Sequence, residues 1–369
     1  MTKVFLKPSS YDYETLKPII YEMIDAMGED QIPKQSRVLI KPNFLLPAKP
    51  ESAIITHPNV VKAVVEYVLD KGGRVLISDS PALGSFERIG KVGGYHKALA
   101  GMDVEFKAFK TSVKADIGKP FGHIEIAREA LEADVVINLP KLKTHALMLL
   151  TLGVKNLFGC IVGLRKPQWH LRSGVDREMF ARLLAQIYHT INPAITIVDG
   201  IWALEGPGPG KSGVPRHLGI LAGGQNAFNV DMVICSVLGI DPDELPTYKA
   251  GKSLGLAGDA VYVNGDFSMV HNFVLPEIGP MTLGPKPLNR FMRKHMLQRP
   301  VVDHGVCKVC GECWQYCPAK SISQDTKAIE FDYDSCIRCY CCIEICPHGA
   351  LLAAETIPGK ILRKLSILK

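Results

Sequence analysis

The feature that most constrains this chain is a pair of cysteine runs near its C-terminus. The first run is Cys307-x2-Cys310-x2-Cys313-x3-Cys317-Pro318, and the second is Cys336-x2-Cys339-x2-Cys342-x3-Cys346-Pro347. Loops with this spacing hold iron–sulfur cubes, and the fourth cysteine, next to proline, crosses to the other cube. The spacing therefore predicts two [4Fe–4S] clusters with these ligands: Cys307, Cys310, Cys313 and Cys346 for one, and Cys336, Cys339, Cys342 and Cys317 for the other.

The same spacing argues against two other uses of cysteine. Zinc sites pair one Cys-x2-Cys with another or with histidines, and they do not repeat a run of four. Disulfides need an oxidising compartment, whereas residues 1–16 carry charges where a secretory signal requires an unbroken apolar stretch. We therefore expect a cytoplasmic protein. Cys341 is left over and, being adjacent to Cys342, is expected to point away from the cluster.

The residues before this module alternate between strand-like and helix-like patterns. Short β-branched runs predict strands at Arg37–Ile40, Arg74–Ser78, Val135–Asn138, Ile195–Val198, His217–Ala222 and Val261–Val263. Helical periodicity predicts helices at Tyr13–Met27, Asn59–Lys71, Glu178–Ile191 and Ala227–Leu238. This alternation predicts a layered α/β fold with a mainly parallel sheet, followed by a ferredoxin-like α+β module.

Composition indicates where the domains begin and end. We expect an α/β ligand-binding domain over residues 1–285, a basic linker helix over 286–303, the iron–sulfur module over 304–354 and a basic tail over 355–369. Residues 300–354 include four basic and seven acidic side chains, although the whole chain carries a net charge of +6. The larger domain is therefore basic, which suits an anionic ligand. No stripe of alternating basic and aromatic residues indicates binding to nucleic acid.

The most apolar segment, Ala146–Leu164, is about as long as a membrane span. Lys155 and Asn156 lie near its middle, where a charge is costly in lipid. We therefore expect this segment to be buried in the protein, and we expect no transmembrane segment.

Polar residues gather where the predicted strands end. In open α/β sheets, ligands lie in the crevice outside the carboxyl ends of the strands. The residues expected to bind a small anion or a further cofactor there are Lys41, Asn43, Lys141, Lys143, Lys155 and Asn156. The residues expected to act as acids, bases or metal contacts are His145, His170, Asp199 and Glu205. Whether a flavin or a metal also occupies the crevice is left open by the sequence.

Each of these residues also has a simpler interpretation. A lysine after a strand is usually solvated, and Lys141 and Lys143 could mark the outer face of an extended segment. His170, beside Trp169, could be a core histidine. Lys155 and Asn156 fit such an interpretation less well, because polar groups buried in an apolar stretch need partners.

Two nucleotide-binding motifs are missing from the sequence. No Gly-x-Gly-x-x-Gly follows the first predicted strand. Gly210-Lys211-Ser212 is similar to the end of a phosphate-binding loop, but Glu205 stands where the first glycine would be. Pro207 and Pro209 also remove backbone donors that a phosphate needs.

Several short segments together resemble a known family. They are Ile40-Lys-Pro-Asn-Phe44, Thr56-His-Pro58, Asp79-Ser-Pro81, Asn138-Leu-Pro-Lys-Leu-Lys-Thr-His145, Gly153-Val-Lys-Asn-Leu-Phe-Gly159, and Val198-Asp-Gly200 with Glu205-Gly-Pro. Over roughly residues 1–240 this set is similar to the domain-of-unknown-function family 362, whose members often carry a fused two-cluster ferredoxin module. The resemblance implies an iron–sulfur protein of prokaryotic type, and it supplies no reaction. Cys341 is a small departure from the pattern and puts no ligand in doubt.

These observations favour an iron–sulfur oxidoreductase that passes electrons from a redox partner protein to a small anion in the α/β domain. The alternative is a non-enzymatic electron carrier or assembly adaptor, in which the large domain only docks a partner protein. The basic tail, which has apolar residues at helical spacing, would support that role by binding an acidic protein or an anionic membrane surface. A third class, metal-dependent chemistry with purely structural clusters, also remains open.

Overall fold

The structure is a computed structural model that describes residues 2–28, 31–173, 176–258, 261–265, 268–276, 298–324 and 328–356. Its strands are β1 (Thr2–Pro8), β2 (Arg37–Pro42), β3 (Arg74–Ile77), β4 (Val104–Phe106), β5 (Ser112–Asp116), β6 (His123–Ala127), β7 (Val135–Leu139), β8 (Lys141–His145), β9 (Leu149–Thr151), β10 (Ile195–Glu205), β11 (Val214–Gly224), β12 (Val261–Asn264), β13 (Arg299–Val302), β14 (Ile322–Gln324), β15 (Ile329–Phe331) and β16 (Leu351–Ala354). Its helices are α1 (Tyr13–Met27), α2 (Pro58–Asp70), α3 (Phe86–Val92), α4 (Tyr95–Ala98), α5 (Arg128–Glu132), α6 (Gly153–Asn156), α7 (Arg165–Ser173), α8 (Arg177–Ile191), α9 (Ala227–Val237), α10 (Pro246–Ser253), α11 (Glu312–Tyr316) and α12 (Cys341–Ile345).

A twisted, mostly parallel sheet forms the centre of the larger domain. Its strand order is β12-β1-β11-β10-β7-β2-β3-β4, and β8 and β9 extend it beside β10. The strands from β10 to β4 pair in parallel, whereas β11 runs antiparallel to both of its neighbours. The predicted mixed α/β fold with a mainly parallel sheet is confirmed.

Helices cover both faces of this sheet because the side chains of its inner strands alternate. In β2, Val38 and Ile40 pack with the apolar sides of α1 and α2, while Leu39 points to the opposite core, which contains α8 and α9. Helix α8 begins where the Asp176 carboxylate accepts a hydrogen bond from the Met179 amide at 2.9 Å. It ends at Asn192, which adopts a left-handed conformation.

A switch between β7 and β8 builds the edge of the sheet where polar residues collect. The start of β10 pairs with β7, and its later part pairs with β8, so the two strands on either side of Pro140 both run beside β10. The Asp199 amide donates to the Pro140 carbonyl at 2.9 Å and fixes this junction. All five residues of β8 are buried despite its Lys141-Leu-Lys-Thr-His145 sequence. Burial of so many polar groups requires partners for them, which the neighbouring elements supply.

The C-terminal module holds the cysteine runs between short strands. Strand β13 pairs with β16, and β14 pairs with β15 as the predicted hairpin. Residues 299–302, assigned to the end of the linker from the sequence, therefore form a strand of this module. The rest of the predicted linker helix up to residue 297, and the basic tail from residue 357, lie outside the described residues.

The loop between β10 and β11 packs against this module. A Cβ on Gly210 would lie 2.9 Å from the Glu344 carbonyl oxygen, so only glycine permits this approach. The Ser212 hydroxyl donates to the carbonyls of Gly349 and Leu351, both at 3.2 Å. Gly210 and Ser212, both in the segment that is similar to the end of a phosphate-binding loop, thus form a contact between the two parts of the chain.

Candidate functional site

A crevice lies between the carboxyl ends of the sheet strands and the cysteine-rich module. Its cavity has a volume of about 70 Å³. The side chains and backbone that line it are those of Lys41, Asn43, Phe44, Leu45, Asp79, Ser80, Ala82, Lys143, Thr151, Lys155, Asn156, Phe158, Gly159, Lys166, His170, Pro209, Tyr316, Cys341 and Glu344. The larger domain supplies all four lysines, and the module supplies the last three residues of that set.

One side of the crevice is held by a buried ion pair. The Lys41 ammonium lies 3.0 Å from an Asp79 carboxylate oxygen and donates to the Pro42 carbonyl at 2.8 Å. The other Asp79 oxygen accepts from the Phe44 amide at 2.8 Å. Gly159 packs directly over this pair, where a Cβ would collide with both charged groups. The glycine is therefore needed for close approach of backbone to the pair.

A chain of amides links the strand ends beneath the crevice. The Lys143 ammonium donates to the Asn43 side-chain oxygen at 2.9 Å and to the Ile54 carbonyl at 2.8 Å. Asn43 donates onward to Asn156 at 2.9 Å, and Asn156 donates to Asn138 at 2.8 Å. Each amide orientation is fixed by its neighbours, so the crevice floor is rigid before any ligand arrives.

Two basic side chains in the crevice lack such hydrogen-bond partners among the described residues. Within the ranges that the structure describes, neither the Lys155 ammonium nor the His170 ring makes a hydrogen bond or ion pair. Both are buried, at 9% and 5% relative exposure, and both line the cavity. His170 is held by its ring, which stacks on Phe180 at 4.1 Å and meets Phe158 edge-on.

Burial lowers the pKa values of the basic groups in the crevice. The pKa of Lys143 falls to about 7, chiefly through desolvation and then through the neighbouring Lys155. Desolvation lowers the pKa of Lys166 to about 8 and that of Lys155 below its usual range. The pKa of His170 falls to about 3 for the same reason. Lys143 and Lys166 therefore exchange protons near neutral pH, whereas His170 stays neutral.

The cysteine-rich module adds one carboxylate to the crevice. An oxygen of Glu344 lies 2.6 Å from His145 Nε2. His145 Nδ1 accepts hydrogen bonds from the Leu147 and Met148 amides at 3.0 and 3.1 Å. The ring proton must then reside on Nε2 and point at Glu344. Desolvation also lowers the pKa of His145, to about 4, so a neutral histidine anchors the carboxylate.

The cysteines gather into two groups around small voids. Cys307, Cys310, Cys313 and Cys346 surround one void, and Cys317, Cys336, Cys339 and Cys342 surround the other. Backbone amides donate to two of the sulfurs, from Ala350 to Cys346 at 3.3 Å and from Ser321 to Cys317 at 3.4 Å. Four sulfurs with amide donors are a donor set that suits an iron–sulfur cluster.

The arrangement differs from that of a single metal ion. Across the described ranges, no group of three or more His, Cys, Asp or Glu side chains converges as the ligands of one ion would. The thiols instead lie around each void, as the ligands of an iron–sulfur cube would.

Cys341 does not point away from the clusters as the sequence predicted. It is buried and lines both the void of Cys317, Cys336, Cys339 and Cys342 and the crevice. Tyr340, the residue before α12, is left-handed with a φ of 59°, and the Cys341 thiol hydrogen-bonds with that of Cys339 in the preceding loop. One side chain is therefore shared by a cluster-sized void and the crevice.

At the same edge of the sheet, a second group of polar residues forms its hydrogen bonds within the group. Asp199 accepts from the Tyr11 hydroxyl at 2.7 Å, from the Lys141 ammonium at 2.9 Å and from the His57 amide at 2.8 Å. Lys141 also donates to the Tyr11 hydroxyl at 2.7 Å, and the Tyr11 and His57 rings stack at 3.6 Å. We call this set of Tyr11, His57, Lys141 and Asp199 the closed cluster. None of these residues lines the crevice.

The structure thus brings together six of the ten crevice residues expected from the sequence. Those six are Lys41, Asn43, Lys143, Lys155, Asn156 and His170. Lys141 and Asp199 belong to the closed cluster, and His145 reaches the crevice only through Glu344. Glu205 lies elsewhere, where it pairs with Arg216 at 2.9 Å.

Nothing in the sequence indicated that Glu344, Cys341 and Tyr316 belong to this site. No local pattern marks them, because they enter the crevice only through the packing of the module on the larger domain. Lys166 and Asp79 carried a signal, since one precedes His170 by four residues and the other follows a predicted strand.

Comparisons with known proteins cover both parts of the chain. A family model described as a domain of unknown function, DUF362, matches residues 38–236, and a model of a 4Fe-4S dicluster domain matches residues 299–347. The "Thylakoid-associated protein sll1697" of Synechocystis sp. is 37% identical over 306 residues, which is 81% of this chain and 95% of that protein. The domain match and the two thiol groups together identify a protein that carries [4Fe–4S] clusters.

Over shorter stretches, the chain matches subunits of two named enzymes. It is 37% identical over 50 residues to the delta subunit of NADH-dependent phenylglyoxylate dehydrogenase from Aromatoleum evansii, and covers 54% of that subunit. It is 35% identical over 54 residues to the PorD subunit of pyruvate synthase from Methanocaldococcus jannaschii, and covers 63% of that subunit. The chain therefore spans only part of each of these two relatives.

Among solved structures, the lactate racemase apoprotein from Thermoanaerobacterium thermosaccharolyticum aligns with a TM-score of 0.43 and 14% identity. The alignment covers 65% of this chain and 58% of that one, and it is too distant to bear on function. In the part of the chain described, no helix has the length and apolarity needed to cross a bilayer.

Proposed function

This chain belongs to the DUF362 family and carries a C-terminal 4Fe-4S dicluster domain, and from that premise we propose that it is an iron–sulfur oxidoreductase. It passes electrons from a redox partner protein to a small anion bound in the crevice. The subunits of redox complexes that match its module support a protein as the electron donor.

One observation carries this proposal: the cysteine-rich module forms a wall of the crevice. Cys341 lines the crevice and also the void surrounded by Cys317, Cys336, Cys339 and Cys342. A ligand in the crevice would thus lie beside a redox group, with one side chain between them. A module that served only to stabilise the fold would not need to share a wall with a polar cavity.

The proposal includes two [4Fe–4S] clusters, one for each thiol group. Cys307, Cys310, Cys313 and Cys346 would hold one, and Cys336, Cys339, Cys342 and Cys317 would hold the other. When bound, such clusters supply electrons one at a time. The amides of Ala350 and Ser321 would stabilise the negative charge on the sulfurs.

The residues of the larger domain bind the anion and manage charge. Lys155 and His170 offer free hydrogen-bond donors, and the rigid amide floor under Lys143 holds the crevice in shape. Ammonium groups in a water-poor site stabilise the negative charge that develops as the anion is reduced. This is electrostatic preorganisation, because Lys41 and Lys143 are fixed by partners before the ligand enters.

Lysine rather than histidine supplies protons in this proposal. Every electron that the anion gains is lost by the donor protein, and the proton that follows it leaves a lysine ammonium, which is recharged from solvent. The pKa of Lys143, about 7, and that of Lys166, about 8, suit proton transfer at neutral pH. His170 is neutral at that pH and serves as a hydrogen-bond donor to the anion.

The test uses protein purified without oxygen. About eight irons per chain are expected from two cubes, and dithionite should produce an EPR signal. The reduced protein is then mixed with nitrite, sulfite, oxalate and pyruvate one at a time, and loss of the signal is followed. At least one anion should reoxidise the wild type and the Lys114→Ala control, which removes an exposed lysine, and should fail with Lys155→Ala.

A second function, that of an electron-carrier subunit, is favoured by the similarity of the module to the delta and PorD subunits. In that case no anion would reoxidise the protein, and an acceptor ferredoxin would do so at the same rate in Lys155→Ala and wild type.

The predicted cytoplasmic location is part of our proposal for this protein. The name of the Synechocystis relative makes thylakoid attachment the alternative, which cell fractionation distinguishes.

A further inference from the structure

The charges around the crevice are unequal in number. Among the residues that the structure describes, four lysines line it, Lys41, Lys143, Lys155 and Lys166, against two carboxylates, Asp79 and Glu344. Asp79 is committed to Lys41 at 3.0 Å, and Glu344 is committed to the His145 ring at 2.6 Å. With all lysines protonated, the walls carry two positive charges in excess.

The unmet donors are the ones that face the cavity. Lys143 has two acceptors from the protein, and Lys166 donates to the Ser80 carbonyl. For Lys155 and His170, the described residues provide no acceptor at all. A buried ammonium without an acceptor is costly, so this pair is set up for an acceptor that comes from outside the chain.

The size of the cavity limits what that acceptor can be. A site needs about 10–15 Å³ of such volume to hold one water molecule. A cavity of about 70 Å³ therefore admits on the order of five water-sized groups. Nucleotides and aromatic acids are too large to be enclosed, whereas a tetrahedral oxoanion or a two-carbon dicarboxylate fits.

We propose that the crevice selects a small dianion of about four to six non-hydrogen atoms, held by Lys155 and His170. The inference rests on the proposed function, because it names the substrate class of the same site. A dianion matches the excess of two charges, and a monoanion would leave one buried charge without compensation. The shared chemistry is a compact group with two negative charges and several acceptor oxygens, and the sources are an oxoanion or a short dicarboxylate.

Calorimetric titration of the intact, cluster-loaded protein at pH 6.5 tests this selection. Sulfate and oxalate serve as the dianions, and nitrate and acetate serve as monoanions of similar size. We expect the dianions to bind at least tenfold more tightly than the monoanions. Lys155→Ala should weaken dianion binding at least tenfold, Lys155→Arg should restore most of it, and Lys114→Ala should stay within twofold of wild type.

The outcomes separate this inference from the proposed function. Tighter binding of sulfate assigns an oxoanion, tighter binding of oxalate assigns a dicarboxylate, and either supports the dianion. Equal affinity for nitrate, acetate, sulfate and oxalate, or dianion binding unchanged by Lys155→Ala, overturns it. If that happens while reduced protein is still reoxidised by a small anion, the oxidoreductase stands and only the dianion selection fails. Lys155→Met, which keeps the packing volume, repeats the test if Lys155→Ala does not fold.

Discussion

The closed cluster and the crevice lie at the same edge of the same sheet and use the same residue types, yet they differ in how far their polar groups are satisfied. In the closed cluster, the Lys141 ammonium has both the Asp199 carboxylate and the Tyr11 hydroxyl. In the crevice, the Lys155 ammonium has no such partner among the described side chains and backbone. One group is complete within the chain, and we propose that a ligand completes the other.

This difference indicates two roles for a buried lysine. A satisfied buried ion pair fixes three segments to one another, here the loop after β1, the start of α2 and strand β10. A buried ammonium without an acceptor weakens the folded state, and it is tolerated where a bound ligand supplies the missing contact. Stability and binding should therefore respond in opposite ways to substitutions in the two regions.

The largest expected effect is on stability in the closed cluster. Asp199→Ala leaves Lys141 buried without its carboxylate, and breaking a buried pair in this way costs about 3–5 kcal/mol. Lys155→Met should change the free energy of unfolding little or raise it, because it removes a buried charge without a partner. Urea unfolding followed by circular dichroism measures both variants. Equal destabilisation would remove the distinction between the two regions.

The next effect is the pH dependence of anion binding in the crevice. Burial lowers the pKa of Lys143 to about 7 and that of Lys166 to about 8. Both are cationic below these values and neutral above them, so affinity for sulfate should be highest below about pH 6.5 and fall as pH rises. Each lysine that must regain a proton contributes about a tenfold loss per pH unit.

Calorimetry from pH 6 to pH 9 measures this dependence. Lys143 is faced by Lys141, Lys155, Asp79 and Glu344, and all of these stay in place in the control Lys143→Met. That variant should lose the part of the pH dependence near pH 7. An affinity that is the same at pH 6 and pH 9 would contradict proton uptake by the crevice lysines.

A smaller effect is expected from Glu344, the carboxylate that the cysteine-rich module contributes to the crevice. Glu344→Gln keeps an acceptor for the His145 Nε2 proton and removes one negative charge from the wall. At pH 6, where the lysines are charged, sulfate should bind several-fold more tightly, which corresponds to about 1 kcal/mol. The iron content should not change. A weaker affinity for sulfate would contradict the expectation that the Glu344 charge opposes anion binding.

The smallest effect on anion binding concerns the glycine over the Lys41 and Asp79 pair. Gly159→Ala forces these side chains apart, and overpacking of this kind costs about 1–3 kcal/mol. Part of this cost should appear as weaker sulfate binding, because Lys41 lines the cavity. Gly258→Ala, where a Cβ meets nothing closer than 3.8 Å, is the matched control. Identical behaviour of the two variants would argue against a role for the pair.

The sequence was sufficient where local patterns determine structure. Helix α1 occupies the predicted residues, Tyr13–Met27, because its apolar side chains recur with a helical period. The fold class, the family and the cysteine module were all confirmed. Lys41, Asn43 and Lys143 converge because β2 and β8 bring them to one edge of the sheet, whereas Lys155, Asn156 and His170 reach it from α6 and α7. The roles of these six residues in binding stay a prediction.

What the sequence could not supply depends on packing between distant segments. Lys141 and Lys143 are two residues apart in β8 and look equivalent, yet Asp199 of β10 saturates one, while Asn43 and Ile54 position the other. Glu344 enters the crevice because α12 docks against the loop between β10 and β11. No local period encodes either choice.

Helix α12 has a consequence for how the protein matures. Within five residues and the one that follows, it supplies Cys342 to one thiol group, Cys346 to the other and Glu344 to the crevice. Because metal binding and folding of such a module are coupled, the crevice cannot acquire its final wall before iron is inserted. A chain made during iron starvation would therefore lack a finished crevice as well as its clusters, so apoprotein would not sequester the anion that we propose as its ligand.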